Sequence, residues 1–294
     1  MKKIIKRLLK KFNIEQEIIY FYNRISYFWK SDEEYYRRAY RKQFNRELNL
    51  KDPKTFNEKV IKRILFDKQE IYSKLADKYL VREYVKSKIG EKYLVPIYGV
   101  YRSIEELDET KLPEKFVLKC THDCKSVFIC EDKNKFDFEK MKKKMRFYLK
   151  RNFYYQTREW QYKNIIPRII CEEKLTDTTD FKFHCFNGKV NHVEVIYDRF
   201  DKERINLYDK NWKLLPFKVS ECDNFDETCL NKPKNFDEMI SLAEKLSEDF
   251  NYCRVDLYND KGEIKFGEIT FTPAMGLDQL PEEFDLYLGS LWKE

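Results

Sequence analysis

The segment YCRVDLYNDKGEIKFGEITF, residues 252–271, constrains this 294-residue chain more than any other. Two runs of alternating residues flank Asp260, Lys261 and Gly262, and a period of two belongs to a strand with one buried face. The pattern predicts a β-hairpin closed by a three-residue loop, with Gly262 in the left-handed conformation. In that register Glu268 faces Arg254 and Phe266 faces Asp256. Side chains alternate faces along a strand, so Arg254, Asp256, Glu268 and Thr270 share one face, with the carboxylates as diagonal neighbours. A two-residue turn would move Glu268 to the opposite face. Two adjacent carboxylates beside an arginine suit Mg²⁺ held against phosphate oxygens. The same residues equally make an exposed ladder in which Arg254 neutralises the acids.

The rest of the chain reads as a mixture of helices and antiparallel hairpins. Residues 1–90 are mainly helical, through EEYYRRAYRKQF and KLADKYLVREYVKSKIG, with Gly90 as a helix stop. FVLKC (116–120) and SVFIC (126–130) read as strands, followed by a basic amphipathic helix near 137–151 and the strand RIICEEKL (168–175). DFKFHCFNGKVNHVEV centres on Asn187-Gly188, a strong signal for a two-residue hairpin turn. RINLYDKNWKLLPF reads as a further hairpin. NFDEMISLAEKLSEDF reads as a helix opened by Asn235, with Glu238 three residues on, close to a capping box. Clustered helices and hairpins without strict βαβ alternation predict an α+β fold.

Charge narrows the function. Residues 1–30 carry eight Lys and Arg against Glu15 and Glu17, which leaves only +1 of the net +7 for the remaining 264 residues. A nucleic-acid binder spreads basic charge over its body, so that class is excluded. In MKKIIKRLLKKF, residues 1–12, Ile4, Ile5, Leu8, Leu9 and Phe12 fall on one helical face and cations on the other. That pattern suits peripheral contact with an anionic membrane, or a solvated helix packed on its own domain. Lysines interrupt any signal-peptide core, and no apolar run reaches the ~20 residues of a membrane span. Eight cysteines without secretory targeting predict reduced thiols in a cytoplasm, at the inner face of the plasma membrane if the amphipathic segment binds there.

KCTHDCKSVFIC, residues 119–130, offers Cys120, His122, Cys124 and Cys130 as soft metal ligands. A structural zinc site needs a second close pair, and the chain supplies none here. Cys120 and Cys130 fall in apolar strand runs and are expected as buried small side chains.

DKYLVREYV, FVLKC-THDCKS, IICEEKL, DFKFHCFNGK, RVDLY and FGEITFTP occur in series from about residue 35 to the C-terminus, and this series resembles the TupA-like branch of the ATP-grasp superfamily. The resemblance implies two α+β subdomains that clamp ATP and activate a carboxylate as an acylphosphate. It divides the chain into a basic amphipathic helix (1–30), a helical and α/β N-terminal region (31–110), a subdomain with the phosphate loop (111–175) and one with the metal hairpin (176–294). Lys78 resembles the first ATP lysine and Lys119 the second. His122, Lys125 and Ser126 fall in the phosphate loop, and Glu172 falls at the hinge beside adenine and ribose. Asp256 and Glu268 match Mg²⁺ ligands, and Thr270 stands where many relatives place an asparagine. The family pattern also sets Arg204 and Asn206 at the acceptor. Arg254 is assigned to charge developing on the transferred phosphoryl group. Lys182 is assigned to a phosphate or the acceptor carboxylate, with a solvent-facing lysine as the plain alternative. Two stretches depart from the family pattern. THDCKS lacks the usual glycine of THDSGS, and TPAMG replaces a TPGSG-like run.

The implied function is an ATP- and Mg²⁺-dependent carboxylate–amine ligase acting on a small-molecule or glycan-precursor carboxylate in bacterial capsule and surface-polysaccharide biosynthesis. Three alternatives remain open at this point: a glycosyltransferase, an ATP-grasp phosphotransferase, and a non-catalytic binding module.

Overall fold

The computed structural model describes residues 15–124, 126–197, 204–219 and 230–293. The amphipathic segment 1–12 and Lys125 lie outside them. The fold is α+β, with two antiparallel sheets and helices packed on their faces.

The first sheet has the order β1 (Ile97–Tyr101), β4 (Ile169–Glu172), β2 (Phe116–Cys120), β3 (Val127–Cys130). β1 lies in the N-terminal region 31–110 and pairs antiparallel with β4. The helix Phe138–Lys150 places Met141, Met145 and Tyr148 on Phe116, Leu118, Cys120, Ile169 and Cys171. Each fully buried apolar side chain of this size contributes about 1.5–3 kcal/mol, enough to seat the helix.

The second sheet has the order β7 (Arg204–Asp209), β6 (Lys189–Tyr197), β5 (Asp180–Phe186), β8 (Tyr252–Asp260), β9 (Glu263–Thr270). Asn187 and Gly188 both take positive φ, as a two-residue turn of mirror-image type requires. The hairpin predicted over 204–217 forms with a short return limb, a single bridge from Tyr208 to Leu214. One face of the sheet is covered by the helix Phe236–Ser247, whose Phe236, Met239, Leu242, Ala243 and Leu246 meet Phe183, Val193, Val195 and Val255. The predicted capping box of that helix does not form. Asn235 instead donates to the Gly262 carbonyl at 3.0 Å, and Glu238 accepts from Tyr93 Oη at 2.6 Å, so both side chains serve tertiary contacts.

One end of the opposite face is closed by the helices Asp32–Phe44, Phe56–Phe66 and Glu282–Leu291. A complete capping box, Thr55 with Glu58, opens the second of these. Its Arg63 is buried, donates to the carbonyls of Tyr252 (2.8 Å) and Phe271 (3.2 Å), and lies 4.2 Å from the Trp292 ring centroid. Those carbonyls offset the cost of burying the guanidinium, and through them Arg63 ties together the two ends of the β8–β9 hairpin. Among the described residues no helix is long and apolar enough to cross a membrane.

Candidate active site

The hairpin β8–β9 turns through two residues, not three: Lys261 (φ 54°) and Gly262 (φ 92°) connect Asp260 paired with Glu263. Continued unchanged, that register would send Glu268 to the far face. A β-bulge between Asp256 and Leu257 absorbs the extra residue Gly267, and beyond it Asp256 lies directly opposite Glu268 and Arg254 opposite Thr270. The expected register is therefore wrong and the expected face is right, because a bulge and a shorter turn each shift parity by one. Gly267 suits the bulge: a Cβ there would approach the Asp256 carbonyl oxygen and the Tyr258 ring, each at 3.0 Å.

The same pairing aligns Leu207, Glu194, Lys182, Asp256 and Glu268 in one row across all five strands, with Asp209, His192, His184, Arg254 and Thr270 in the next. Lys182 is buried, with Nζ 2.5 Å from Asp256 Oδ2 and 2.7 Å from Asp180 Oδ2, so the solvent-facing alternative is ruled out. Arg254 donates from Nε and Nη2 to Asp256 at 2.7 Å each, and from Nη2 to Glu268 at 3.1 Å and Thr270 Oγ1 at 3.2 Å. Burial would raise the Asp256 pKa, but Arg254 and Lys182 outweigh it and hold the group below the usual range. Burial also works against the Lys182 charge, as does Arg254. Asp256, Asp180 and Glu268 prevail, and its pKa is raised.

At the β6 end, burial opposes the charge on Glu194, yet His184, Arg254 and Lys182 keep it ionised. His184 Nε2 stands 3.7 Å from Glu194 Oε2, its Nδ1 meets Tyr252 Oη at 3.1 Å, and its ring stacks on His192 with centroids 4.3 Å apart. Arg204 and Asn206, expected at the acceptor, belong to the other face. They pair with Tyr197 and Val195 on the side covered by the helix Phe236–Ser247, and Asn206 donates to Tyr208 Oη at 3.1 Å.

Facing this row stands the loop 121–126. In this loop no described residue has positive φ, and Lys125, at the position of the family's glycine, lies outside the described residues. Its shape comes from buried Asp123, which accepts from Ser126 N at 3.2 Å and from Ser126 Oγ, and pairs with buried Arg151 at 2.5 Å. Burial opposes the Asp123 charge, and Ser126 and Arg151 still lower its pKa. His122 Nε2 points at the carbonyls of Tyr148 (3.1 Å) and Arg151 (3.0 Å), stapling the loop to the end of the helix Phe138–Lys150. His122 Nε2 and the Ser126 hydroxyl are thus engaged in the loop's own geometry, while buried His122 Nδ1 has no hydrogen-bond partner among the described residues. Cys124 is exposed at the tip with Sγ 3.5 Å from Tyr162 Oη. Cys120 and Cys130 are buried in paired strands, and no cluster of three metal-binding side chains occurs among the described residues.

Lys78 Nζ donates to the Asp123 carbonyl at 2.5 Å, and its backbone N–H donates to Thr121. Asp77 positions it by pairing with Arg168 at 3.0 Å. Burial opposes the Lys78 charge, but Cys124, Glu268, Asp123 and Glu172 outweigh it, so Lys78 lies within electrostatic reach of both hinge strand and metal hairpin. Lys119 and Glu172 sit side by side, Nζ to Oε2 2.5 Å. Lys78, Lys119 and Glu172 thus gather about the first sheet and Lys182, Arg254, Asp256, Glu268 and Thr270 on the second, with Lys78 within electrostatic reach of both Glu172 and Glu268.

Sequence reasoning missed a third cluster. Glu159 is buried, accepts from Thr272 Oγ1 at 2.5 Å, and is joined to the same hydroxyl through Gln161 Nε2 at 2.6 Å. Burial, with a smaller contribution from Glu268, pushes its carboxyl up to about 7. TREWQY carries no periodic pattern, so nothing local marks this acid. The TPAMG stretch follows Thr272 as a tight turn in which Ala274, Met275 and Gly276 all take positive φ (47°, 59° and 69°). The two non-glycine residues keep the left-handed path at about 1–2 kcal/mol each.

The donor set fits a divalent cation. Asp180, Glu194, Asp256 and Glu268 exceed Lys182 and Arg254 by two negative charges, and opposed Asp256 and Glu268 supply the one or two carboxylates that phosphate-bound Mg²⁺ takes from protein.

No curated protein matches this chain. Among solved structures, D-alanine–D-alanine ligase from Bacillus anthracis in complex with ATP is 14% identical with a TM-score of 0.41, covering 69% of this chain and 55% of its own. An ADP complex of N5-carboxyaminoimidazole ribonucleotide synthetase is 13% identical with a TM-score of 0.45, covering 70% and 47%. D-alanine–D-alanine ligase from Helicobacter pylori is 14% identical with a TM-score of 0.39, covering 75% and 61%. The chain thus spans between 47% and 61% of the length of these structures. A family profile described as TupA-like ATPgrasp matches residues 58–293, which take in both sheets and all three clusters. This chain belongs to the TupA-like ATP-grasp family.

Proposed function

We propose that the protein is an ATP-dependent ligase that activates a carboxylate as an acylphosphate and passes the acyl group to an amine. Its substrate is a small-molecule or glycan-precursor carboxylate of bacterial surface-polysaccharide biosynthesis, handled on the cytoplasmic side. The observation that carries this reading is the row Glu194–Lys182–Asp256–Glu268, with Arg254 beside it and Lys78, Lys119 and Glu172 facing it.

Phosphoryl transfer is chiefly a matter of positioning and charge neutralisation, so lysines, an arginine and carboxylates for a metal are the groups it needs. Asp256, Glu268 and Thr270 would hold Mg²⁺, which neutralises charge between phosphate oxygens when bound. Lys78 and Lys119 approach the nucleotide from the first sheet, and Glu172 accepts hydrogen bonds from its adenine or ribose. Lys182 and Arg254 pair with Asp256 in the free protein, and both are poised to exchange that partner for the transferred phosphoryl or the acceptor carboxylate. Balanced, the carboxylate oxygen displaces ADP from the γ-phosphorus. The amine then attacks the acyl carbon, phosphate leaves with the cleaved oxygen, and one proton is released.

Nucleotide-dependent thermal shift tests the reading. ATP with Mg²⁺ is expected to raise the melting temperature, and Asp256→Asn to abolish the Mg²⁺ dependence. ADP and phosphate release across a panel of uronic acids and amino acids then identifies the acceptor. Indifference to ATP, combined with a shift by UDP or GDP, would replace the ligase by a sugar transferase.

A further inference from the structure

We propose that the outward face of the helix Glu15–Ser26, with the turn that follows it, is a docking surface for an anionic lipid bilayer. Ile18, Phe21 and Tyr22 are 45%, 64% and 66% exposed, and Phe28 and Trp29 are 75% exposed. With half-buried Ile25 they fall at positions 18, 21, 22, 25, 28 and 29, the spacing of one continuous apolar stripe. The fold does not need this stripe, because the helix is already seated by its other side. Tyr20 meets Phe147 edge-on at 6.3 Å and accepts from Asn152 N at 3.1 Å. Tyr27 packs against Tyr154 and Tyr155 at 5.7 and 5.3 Å, with the Arg158 guanidinium 4.8 Å from its ring centroid.

Charge selects the occupant. Residues 1–14, directly upstream, contain Lys2, Lys3, Lys6, Arg7, Lys10 and Lys11 and no acid, while Arg24 and Lys30 balance Glu15 and Glu17 of the helix itself. Juxtaposed cations draw an anionic surface, and Trp and Tyr settle at the headgroup level where an apolar ring with a polar edge is best solvated. A second copy of the chain would set two such cationic ends against each other. The stripe therefore extends the membrane contact expected of residues 1–12 onto a surface built into the fold.

The test uses the full chain with phosphatidylglycerol-containing vesicles and phosphatidylcholine vesicles. Co-sedimentation with the anionic vesicles only is expected. Exchanging the ring pair in F28S/W29S should weaken it about tenfold or more, and adding F21S/Y22S should weaken it further. Trp29 fluorescence should be quenched by brominated lipid, a signal lost in W29F. All substituted side chains are exposed, so melting temperature and its ATP-induced shift should not move, which separates this test from that of the ligase reading. Binding by the four-ring variant equal to wild type would overturn the proposal, since the basic segment alone would then suffice. So would a concentration-dependent dimer that these substitutions abolish, or failure of the wild type to sediment.

Discussion

Replacing Lys182 by Met puts the charge row to its hardest test. The lysine is buried, as are Asp180 and Asp256, and its Nζ lies 2.7 and 2.5 Å from their Oδ2 atoms. Met matches the volume of the aliphatic stem, so cavity formation contributes little and the lost charge dominates. Removing one partner of a buried ion pair costs ~3–5 kcal/mol. Arg254 still holds Asp256 with two bonds of 2.7 Å, which brings the expected cost to about 2–4 kcal/mol. The sign with pH follows from the lowered Asp256 pKa. Its stabilising contribution is present above the unfolded carboxyl pKa and fades as pH falls through the lower folded value. Lys182→Met removes part of that lowering, so the gap between variant and wild type should narrow as pH falls below about 4. Mg²⁺ should stabilise the variant more than the wild type, because a cation can replace the lysine charge. Urea unfolding at pH 7.5 and about pH 3, with and without Mg²⁺, reads all three effects. A loss below about 1 kcal/mol at pH 7.5, or a gap that widens in acid, would refute the charge-row reasoning.

Other outcomes follow from the same geometry. Because the buried Glu159 carboxyl is raised to about 7, its contribution to stability falls as pH rises from about 4 to 7. Glu159→Gln should therefore flatten that dependence and stabilise the protein at pH 8 by about 1–3 kcal/mol; destabilisation at pH 8 would count against it. Asp123→Ala leaves Arg151 buried without its carboxylate and should cost ~3–5 kcal/mol and weaken ATP binding, checked by denaturation and calorimetry. Glu194→Gln, at the far end of the row from the metal hairpin, should leave the ATP-induced thermal shift intact while lowering turnover with acceptor. Gly276→Ala combines φ of +69° with a Cβ only 2.6 Å from the Asn57 carbonyl oxygen, and should destabilise by about 2 kcal/mol or more in thermal melts.

Much of the second sheet was legible because its strands carry a period of two with turn residues between them. Asn187-Gly188 marked one hairpin without ambiguity, and the shared face of Arg254, Asp256, Glu268 and Thr270 was readable from parity. Parity alone did not reveal the route to that face, since a bulge at Gly267 with a two-residue turn gives the same result as a longer loop. Arg204 and Asn206 were misplaced because a family pattern places residues along the chain and not on a face of the sheet. The side chains of His122 and Ser126, expected at the nucleotide, turn inward to Tyr148, Arg151 and Asp123.

The sequence by itself determined the α+β class, the order of the motifs and the side-chain chemistry at the candidate site, because these depend on local periodicity and residue type. Only the tertiary structure decided which of those side chains meet. Lys182 became the buried partner of Asp180 and Asp256, and Glu159 became the raised acid beside Thr272. The physical reason is that charge and burial act through space. A carboxylate's environment is set by strands and helices distant along the chain, and that distance leaves no mark on the local pattern of residues.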